Sequence, residues 1–553
     1  MTKRKKILAF VSLAIACFLT VLDATIVNVS LPSMAKYFST DITGISWVTT
    51  AYLIPFSALL INFSKIADIY GRKKLFLIGL VVFGISSICC GLSTTLLMII
   101  GFRILQGIGA AILTPLAIPL GIELFGKASM GKLAVIVGMI ISVSAASGPV
   151  IGGALNETFG FKAIFYVNIP FIIIALIFGF KYVRECFDRT IKKKVDVFGS
   201  IFLAYGLGAA TFSLVKGNDY GWGSITIIAF MASAAISLIA FAIYENNIKN
   251  PMIEVSLFKI RSYSASIVLI AVIFFAYMPV SYLMNFYLEN GLGYSVMKAG
   301  LILGIVSAVA FVMSPIFGLV SKKTSAKVVS FFAVFFVSAG NLAFVFMNSA
   351  NNMKVIYSAF ILLGLGIGAT TPLYQSAFEE ISEDKNGIAS GILNSLRQLT
   401  ACIAIALVAT LSSHFTTIAV DNTKDRIINY INQSSVLQQT EKEKITQMMK
   451  NAKAGEGSGF SKDMVRSLIR KEEKKILASV PPKMLAQAKK KFSIQKQELY
   501  RIVDEAAIVK EDESNKVYNK CFLITGALAA LGLLAVPFNG RKKYKAAQVE
   551  VIT

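Results

Sequence analysis

Fourteen separate apolar blocks run along the 553 residues, and each is long enough to cross a membrane as a helix. A hydrocarbon core of about 30 Å needs roughly 20 helical residues. Backbone polar groups need partners in lipid, and the blocks lack the alternation of barrel strands, so all are predicted to be helices. The predicted limits are 7–30, 45–66, 74–93, 95–121, 133–156, 162–182, 197–215, 222–244, 264–288, 297–320, 327–347, 354–377, 388–414 and 519–538.

The composition supports a membrane protein. Hydrophobic residues make up 55% of the chain and charged residues 16%, whereas an ordinary soluble domain is about 25% charged. The net charge of +24 would suggest nucleic acid on a soluble domain. Here it lies mainly between apolar blocks, where basic residues set orientation. We therefore expect membrane lipid, and no nucleic acid, around this chain.

The basic residues alternate between the two sides of the predicted spans. One set of loops holds most of them: Lys3–Lys6, Arg72–Lys74, Lys181, Arg184, Arg189, Lys192–Lys194, Lys322–Lys323 and Arg541–Lys543. The alternate short loops hold Lys36, Lys162, Lys216, Lys298 and Lys354. The richer set is predicted to be cytoplasmic, with both termini inside. The N-terminal basic run leads straight into a full-length span, so no cleaved signal peptide is expected.

Residues 415–517 form a long polar segment that the span count places outside the cell. Long loops cross membranes largely regardless of their charge. Helical hairpins are predicted over Glu441–Lys453 and Ser461–Leu477, followed by a longer helix after Pro482. Two interpretations stay open: a solvated helical excursion, or a lid or docking module for an envelope partner.

Two charged residues are predicted to lie inside the membrane. Asp23 stands sixteen residues after Ile7, about 24 Å along the first span, and Arg103 about 10 Å below the outer start of the fourth. Intramembrane charges are costly and indicate function. We predict that Asp23 exchanges protons while Arg103 sets its pKa. The alternative is a static ion pair that locks two helices.

Asp68, Gly71 and Arg72 lie in the cytoplasmic connection between spans two and three. Gly71 permits a tight turn, and Arg72 could pair across the bundle, so this segment is predicted to be a charge latch on the cytoplasmic gate. A simple basic membrane anchor would explain Arg72 but not the acid and glycine.

The fifth span contains Gly148, Pro149, Gly152 and Gly153. Small residues let helices approach closely, and proline frees a backbone carbonyl and bends a helix. Close packing is predicted here, with a hinge or seal as the more specific hypothesis.

Five segments together carry a family resemblance: Leu22–Pro32, Ser64–Lys74, Arg103–Ala111, Ser144–Gly153 and Gly387–Gln398. They resemble the motifs of the major facilitator superfamily, and the span number resembles its fourteen-span drug:proton antiporter branch in bacterial cytoplasmic membranes. Ser64 and Ile69 depart from the usual glycine and arginine of the loop motif. The counterpart near Gly318–Lys323 lacks its acid, so the latch would depend on the first half alone.

The resemblance implies an all-α fold with two six-helix bundles, two extra membrane helices and a helical external insertion. It also implies alternating access around a midplane cavity, with Asp23 and Arg103 near the proton path. The expected domains are a first bundle (1–190), a linker pair (191–262), five helices of the second bundle (263–414), the insertion (415–517), and the last span with its tail (518–553).

The candidate cavity residues are polar or aromatic side chains of the predicted spans. They are Asn28, Gln106, Phe275, Tyr277, Asn285, Tyr374, Gln375, Asn394 and Arg397. Asp23 is the one acid well inside a predicted span, so neutral or monocationic lipophilic substrates are expected rather than dications. No nucleotide-binding Gly-x-x-x-x-Gly-Lys-Ser/Thr segment occurs, so the proton gradient is the expected energy source, without cofactor or metal.

The leading hypothesis is a monomeric, non-enzymatic proton-driven drug exporter. A second hypothesis keeps the fold but assigns an envelope lipid, a fatty acid or an endogenous metabolite as cargo. A third is a membrane sensor or scaffold that transports nothing and uses 415–517 for binding. Buried charges such as Asp23 and Arg103 disfavour the third, because a scaffold has no need of them.

Overall fold

The computed structural model describes residues 2–126, 130–187, 196–248, 255–348, 352–381, 386–436 and 485–539, together with 439, 442–443 and 446–447. Within these ranges the regular structure is helical, without strands. The helices are α1 Lys3–Tyr37, α2 Ile42–Tyr70, α3 Arg72–Leu92, α4 Leu96–Leu113, α5 Ala117–Phe125, α6 Met130–Phe159, α7 Ala163–Tyr166, α8 Asn168–Tyr182, α9 Val197–Tyr220, α10 Ile225–Asn247, α11 Arg261–Phe286, α12 Val296–Lys323, α13 Ala326–Ala343, α14 Asn352–Gly368, α15 Thr371–Phe378, α16 Asn386–Gln433 and α17 Leu485–Leu531.

The described residues include 13 helical segments that are long and apolar enough to cross a membrane. The remaining predicted span, 133–156, falls within the 30-residue helix α6, some of whose side chains lie outside the described part. All fourteen predicted spans thus fall on helices, and the predicted all-α membrane fold is confirmed.

Two predicted spans are each interrupted by a turn that lies at or just before a proline. A 3₁₀ turn, Thr114–Leu116, separates α4 from α5 around Pro115. Residues 369–370 form a turn before α15, which has Pro372 at its start. Proline cannot donate a backbone hydrogen bond and suits the first turn of a helix, so the chain restarts its helix there.

Helix α6 packs against α1 on one side and α12 on another, and glycines make both approaches possible. A Cβ atom on Gly152 would lie 2.8 Å from Ile26 Cγ1 of α1, and one on Gly153 would lie 2.9 Å from the Val296 carbonyl oxygen of α12. A Cβ on Gly300 would collide with the carbonyl oxygen of Pro149. Small residues therefore let α6 join the first and second halves of the bundle.

The predicted linker pair, α9 and α10, packs as a helical hairpin. Asn62 of α2 donates to the carbonyl of Asp196, which caps α9 (3.0 Å). Thr410 of α16 donates to the carbonyl of Leu214. The first of the two extra helices therefore contacts helices from both halves.

The chain divides into two compact units. The first comprises Met1–Phe344, Ile356–Thr410 and Phe522–Thr553, and the second comprises Val345–Val355 and Leu411–Cys521. The predicted limits of the last two spans need correction, because α16 runs 48 residues to Gln433 and α17 runs 47 residues from Leu485. No glycine or proline interrupts residues 411–433 or 485–517, so the helices extend into the polar segment.

The second unit is held by apolar and charged contacts between α16 and α17. Ile427 and Ile431 pack against Ile502. The buried Glu513 carboxylate accepts hydrogen bonds from Arg426 (3.3 Å) and Lys516 (2.6 Å). The predicted helix after Pro482 is thus present from Leu485, while the predicted hairpins 441–453 and 461–477 lie largely outside the described residues.

We predict that Gly148→Ala destabilises the protein because its Cβ would collide with Thr25 of α1, 2.8 Å from the Thr25 Cβ. Overpacking of this kind costs about 1–3 kcal/mol. Gly101→Ala is the matched control, because its Cβ meets nothing within 4 Å. Thermal unfolding of the purified protein should show a lower midpoint for the first variant alone; equal midpoints would contradict the packing described.

Candidate transport site

Asp23 and Arg103 form a fully buried ion pair between α1 and α4. Arg103 Nη1 donates to Asp23 Oδ2 and also to Gln106 Oε1 at 2.8 Å. Gln106 lies one helical turn after Arg103 and donates from Nε2 to Asp23 Oδ1 at 2.9 Å. The amide of Asn168, the first residue of α8, donates to the same Asp23 oxygen at 3.3 Å. We call these four residues the Asp23 cluster.

The surroundings of Arg103 come from α2. Arg103 Nε donates to the Val48 carbonyl at 2.9 Å, and the guanidinium carbon lies 4.3 Å from the Tyr52 ring centroid. The Tyr52 hydroxyl donates to the Thr20 carbonyl of α1 at 2.9 Å. A delocalised guanidinium suits both the ring face and the carboxylate. The cation is thus held on several sides.

Two buried polar atoms of the cluster have no hydrogen-bond partner among the described residues: Arg103 Nη2 and Asn168 Oδ1. Buried polar groups are usually paired, so such atoms need an explanation. They can donate to or accept from a water molecule or a polar group of a substrate. The cluster therefore combines an ion pair with unused hydrogen-bonding capacity.

Asn28 and Asn285 were expected to line a cavity, but both are buried and join α1 to α11. Asn285 Nδ2 donates to the carbonyls of Asn28 and Val29, each at 2.9 Å. Pro32 has no N–H to donate to the Asn28 carbonyl four residues earlier. In this conformation the freed backbone carbonyl takes up the Asn285 amide, and the cavity role of both residues stays a prediction.

Further contacts close the same end of the bundle between its two halves. The Tyr282 hydroxyl of α11 donates to the Ile42 carbonyl at the start of α2. The exposed Glu157 carboxylate of α6 accepts from the backbone N–H of Met297 in the first turn of α12 at 2.8 Å. A carboxylate is favourable at a helix N-terminus. The two halves therefore meet where α1 and α11 end.

At the opposite end, the predicted latch residues pair within one segment. Arg72 Nε donates to Asp68 Oδ1, four residues earlier, at 2.6 Å, and the Arg72 N–H donates to the Cys186 carbonyl at 3.1 Å. The expected pairing of Arg72 across the bundle is thus corrected to a local one. Burial raises the pKa of the Cys186 thiol, and the Arg72 guanidinium partly offsets that rise.

Gly71 has φ +116°, so its positive φ requires glycine, as the sequence predicted. A Cβ there would also lie 2.8 Å from the Glu185 carboxylate. Glu185 accepts from the backbone N–H groups of Lys73 (2.9 Å) and Lys74 (3.0 Å). The carboxylate therefore caps α3, a role the sequence analysis missed, although an acid directly after a basic span end was a usable signal.

A second intramembrane cation, Arg397 of α16, lies in the second half. Its Nη1 donates to the Tyr374 hydroxyl at 3.4 Å, and its guanidinium carbon lies 5.1 Å from the Phe274 ring centroid. No acid pairs with it among the described residues, and its Nε has no partner there. The ring beside Arg397 is that of Phe274, the neighbour in sequence of the candidate Phe275.

The other candidate cavity residues differ in exposure. Phe275 and Tyr277 are half-buried on α11, and Tyr277 hydrogen-bonds with Ser307 of α12. Gln375 is exposed and Asn394 is half-buried. The structure thus places Arg397 and Tyr374 together and puts Gln106 in the Asp23 cluster.

Comparisons with known proteins identify the family of this chain. The sequence model of the Major Facilitator Superfamily matches residues 13–405. The chain belongs to the Major Facilitator Superfamily. The match includes the Asp23 cluster, the latch and Arg397, and it ends before the 415–517 segment.

Several relatives in this superfamily carry transport or resistance names. The multidrug resistance protein Stp of Mycobacterium tuberculosis is 29% identical over 412 residues, which are 73% of this chain and 75% of Stp. The riboflavin transporter RibZ of Clostridioides difficile is 28% identical, with 73% and 87% coverage. The tetracenomycin C resistance and export protein of Streptomyces glaucescens is 26% identical, with 72% and 74% coverage.

Solved structures support the fold alone. A bacterial homologue of the human lysosomal transporter Spinster superposes with a TM-score of 0.57 at 12% identity, covering 98% of this chain and 100% of that one. The structure of tetrameric PepTSo2 gives a TM-score of 0.56 at 13% identity, with 96% and 98% coverage. The family match and the membrane-length helices, rather than these structures, make this protein a multi-pass membrane transporter of the Major Facilitator Superfamily.

We predict strong energetic coupling between Asp23 and Arg103. Removing one partner of a buried ion pair leaves an uncompensated charge and costs about 3–5 kcal/mol. Asp23→Ala and Arg103→Met should each lower the free energy of unfolding, and the double variant should lose about 1–3 kcal/mol less than the sum. A double-mutant cycle of unfolding measures this; additive losses would show that the two charges do not interact.

Proposed function

We propose that the protein exports small lipophilic compounds across the bacterial cytoplasmic membrane in exchange for protons, by alternating access. The observation that carries the proposal is the fully buried Asp23–Arg103 pair, hydrogen-bonded by Gln106 and Asn168. A carboxylate in a membrane span must be paired or protonated, so changing its protonation state changes what holds α1 to α4.

The exchange follows from this two-state chemistry. When Asp23 is ionised, Arg103 and the two amides satisfy it. When Asp23 is protonated, the ion pair is lost and the Arg103 guanidinium keeps only the Val48 carbonyl, the Gln106 oxygen and the Tyr52 ring. A substrate that accepts a hydrogen bond from Arg103 Nη2, which has no partner among the described residues, needs the guanidinium held as ionised Asp23 holds it, so protonation of Asp23 disfavours substrate binding. Proton binding and substrate binding are thereby linked through one residue pair.

The contacts between halves define the state of access. The basic loops support a cytoplasmic position for the end that holds Gly71. The Asn285–Asn28 and Glu157–Met297 bonds then lie at the outer end. In this conformation the two halves meet outside, and the latch residues Asp68 and Arg72 pair locally inside. Outward opening requires the outer bonds to break, with α6 as the helix on which the halves separate.

Arg397 supports neutral cargo over dications. In the described part of the chain this cation has no acidic partner, and Asp23 is already neutralised by Arg103. A dication would meet an unbalanced positive charge, whereas an aromatic or carbonyl-bearing compound could use the Arg397 donors and the Phe274 and Tyr374 rings. Stp and the tetracenomycin C exporter are named for drug resistance, which supports the same substrate class.

We predict that Asp23→Asn abolishes energised efflux of a lipophilic dye. The variant keeps the shape of the side chain but cannot carry the proton, so the gradient no longer drives exchange. Efflux from energised cells is compared for wild type, Asp23→Asn and wild type with an uncoupler. Asp421→Asn, an exposed acid of α16, is the matched control and should retain efflux.

Equal uncoupler-sensitive efflux by Asp23→Asn would contradict the proton-exchange role. A wild type that reaches the membrane but exports no lipophilic dye would contradict the drug-export proposal. The cargo to test next would then be an envelope lipid or an endogenous metabolite.

We predict that the wild type exports a neutral aromatic dye better than a dication of similar size. Arg397→Gln should raise the KM for the neutral dye by about three- to tenfold, because one cation–π contact and one hydrogen bond are lost. Arg501→Gln, an exposed arginine of α17, is the matched control. If the dication is exported best and Arg397→Gln leaves the KM for the neutral dye unchanged, the assignment of neutral cargo is wrong.

A further inference from the structure

A cavity of about 360 Å³ opens at one end of the first half, where α1 and α3 begin and α8 ends. Its lining carries four basic side chains and a single acid: Lys5, Lys73, Lys181, Arg184 and Glu185, with Tyr182 and Val183. Lys5, Lys181 and Arg184 are exposed, so three of the four cations remain hydrated and available. Basic side chains from three parts of the chain therefore converge on one concave site.

The single acid is already engaged. Glu185 accepts from the backbone N–H groups of Lys73 and Lys74 at the start of α3, and from that of Cys186 at 3.2 Å. These bonds hold its negative charge at the N-terminus of α3, where a carboxylate is favourable. The cavity therefore keeps an excess of positive charge.

Lys73 is held at the edge of the cavity. Its Nζ donates to the Phe180 carbonyl of α8 at 2.7 Å and lies 5.5 Å from the Phe180 ring centroid. The Phe180 ring is itself 73% exposed. A fixed ammonium and an exposed ring thus stand side by side at the rim.

An exposed apolar surface continues from this rim along α3 and α8. The two helices approach closely, since a Cβ on Gly84 would lie 3.2 Å from Ile172. The outward residues are large and apolar: Ile78, Val81 and Ile85 on α3, and Ile173, Ile177 and Phe180 on α8. In a membrane-spanning helix such residues meet acyl chains.

We propose that this cavity binds the phosphate headgroup of an anionic phospholipid, with an acyl chain lying along α3 and α8. The shared chemistry is a phosphate anion, which ammonium and guanidinium groups bind by charge-assisted hydrogen bonds. Basic pockets between membrane helices on the cytoplasmic side bind anionic lipid headgroups in this way. The continuous apolar surface favours a lipid over free phosphate.

The site adjoins the latch. Glu185 lies against Gly71, and the Arg72 N–H bonds to the Cys186 carbonyl. A lipid bound to Lys73 and Arg184 therefore stabilises the turn that precedes α3, independently of which cargo the protein carries. Failure of the transport proposal would leave this binding site untouched.

The experiment measures lipid binding to the purified full-length protein by thermal unfolding. Dioctanoyl phosphatidylglycerol, dioctanoyl phosphatidylcholine and inorganic phosphate are titrated separately. Phosphatidylglycerol should raise the unfolding midpoint, and phosphatidylcholine and phosphate should not. The triple variant Lys5→Gln, Lys181→Gln, Arg184→Gln should bind phosphatidylglycerol at least about tenfold more weakly, since each basic residue contributes to the attraction.

The matched control removes the same number of charges from the same end of the first half. The control triple variant carries Lys3→Gln, Arg4→Gln and Lys74→Gln at three exposed residues that do not line the cavity. Its affinity for phosphatidylglycerol should stay near that of wild type. An equal loss of phosphatidylglycerol affinity in both triple variants would show that the lipid is attracted by positive charge in general, and this would overturn the proposed site. Equal binding of phosphatidylcholine, or saturation by inorganic phosphate with loss of the lipid effect, would overturn its assignment to an anionic lipid.

Discussion

Burial of a carboxylate and a guanidinium within membrane helices constrains the rest of the first half. Each ion loses its hydration, and the mutual attraction offsets that loss only when further hydrogen bonds complete both groups. Asp23 and Arg103 therefore need Gln106, Asn168 and Tyr52 in place. The contributors lie on α1, α2, α4 and α8, so one ion pair fixes the relative positions of four helices. The same pair is the natural place for a proton to act.

The contacts that join the two halves differ in kind from the buried ion pair of the first half. Glycines on α6 and α12 let backbones approach closely, and Pro32 frees a carbonyl that Asn285 takes up. These buried contacts are packing and neutral hydrogen bonds, and the charged contact between the halves, from the Met297 N–H to the Glu157 carboxylate, involves an exposed side chain. In the proposed mechanism the charged cluster stays inside one half while the interface between halves opens and closes. The proposed mechanism needs this division.

The sequence was sufficient for the positions of most spans and for placing Asp23 and Arg103 at a similar level of their helices, because apolar length and helical rise determine both. It predicted a helix after Pro482, but not that this helix continues unbroken into the last span or that α16 extends to Gln433, since polar helical residues give no boundary signal there. Glu185 and Asn168 were missed because each acts through a partner distant in sequence. Asn28 and Asn285 were expected at a cavity, and only the backbone geometry at Pro32 reveals their shared bond.

The central claim is that Asp23 carries the exchanged proton. The most direct test is to measure proton release when a transported dye is added to purified protein in weakly buffered detergent solution. Addition of the dye should release protons from wild type, because substrate binding favours the ionised Asp23–Arg103 pair, and should release none from an Asp23→Asn variant that still binds the dye. Equal release from both proteins would contradict it, because another group would then carry the proton.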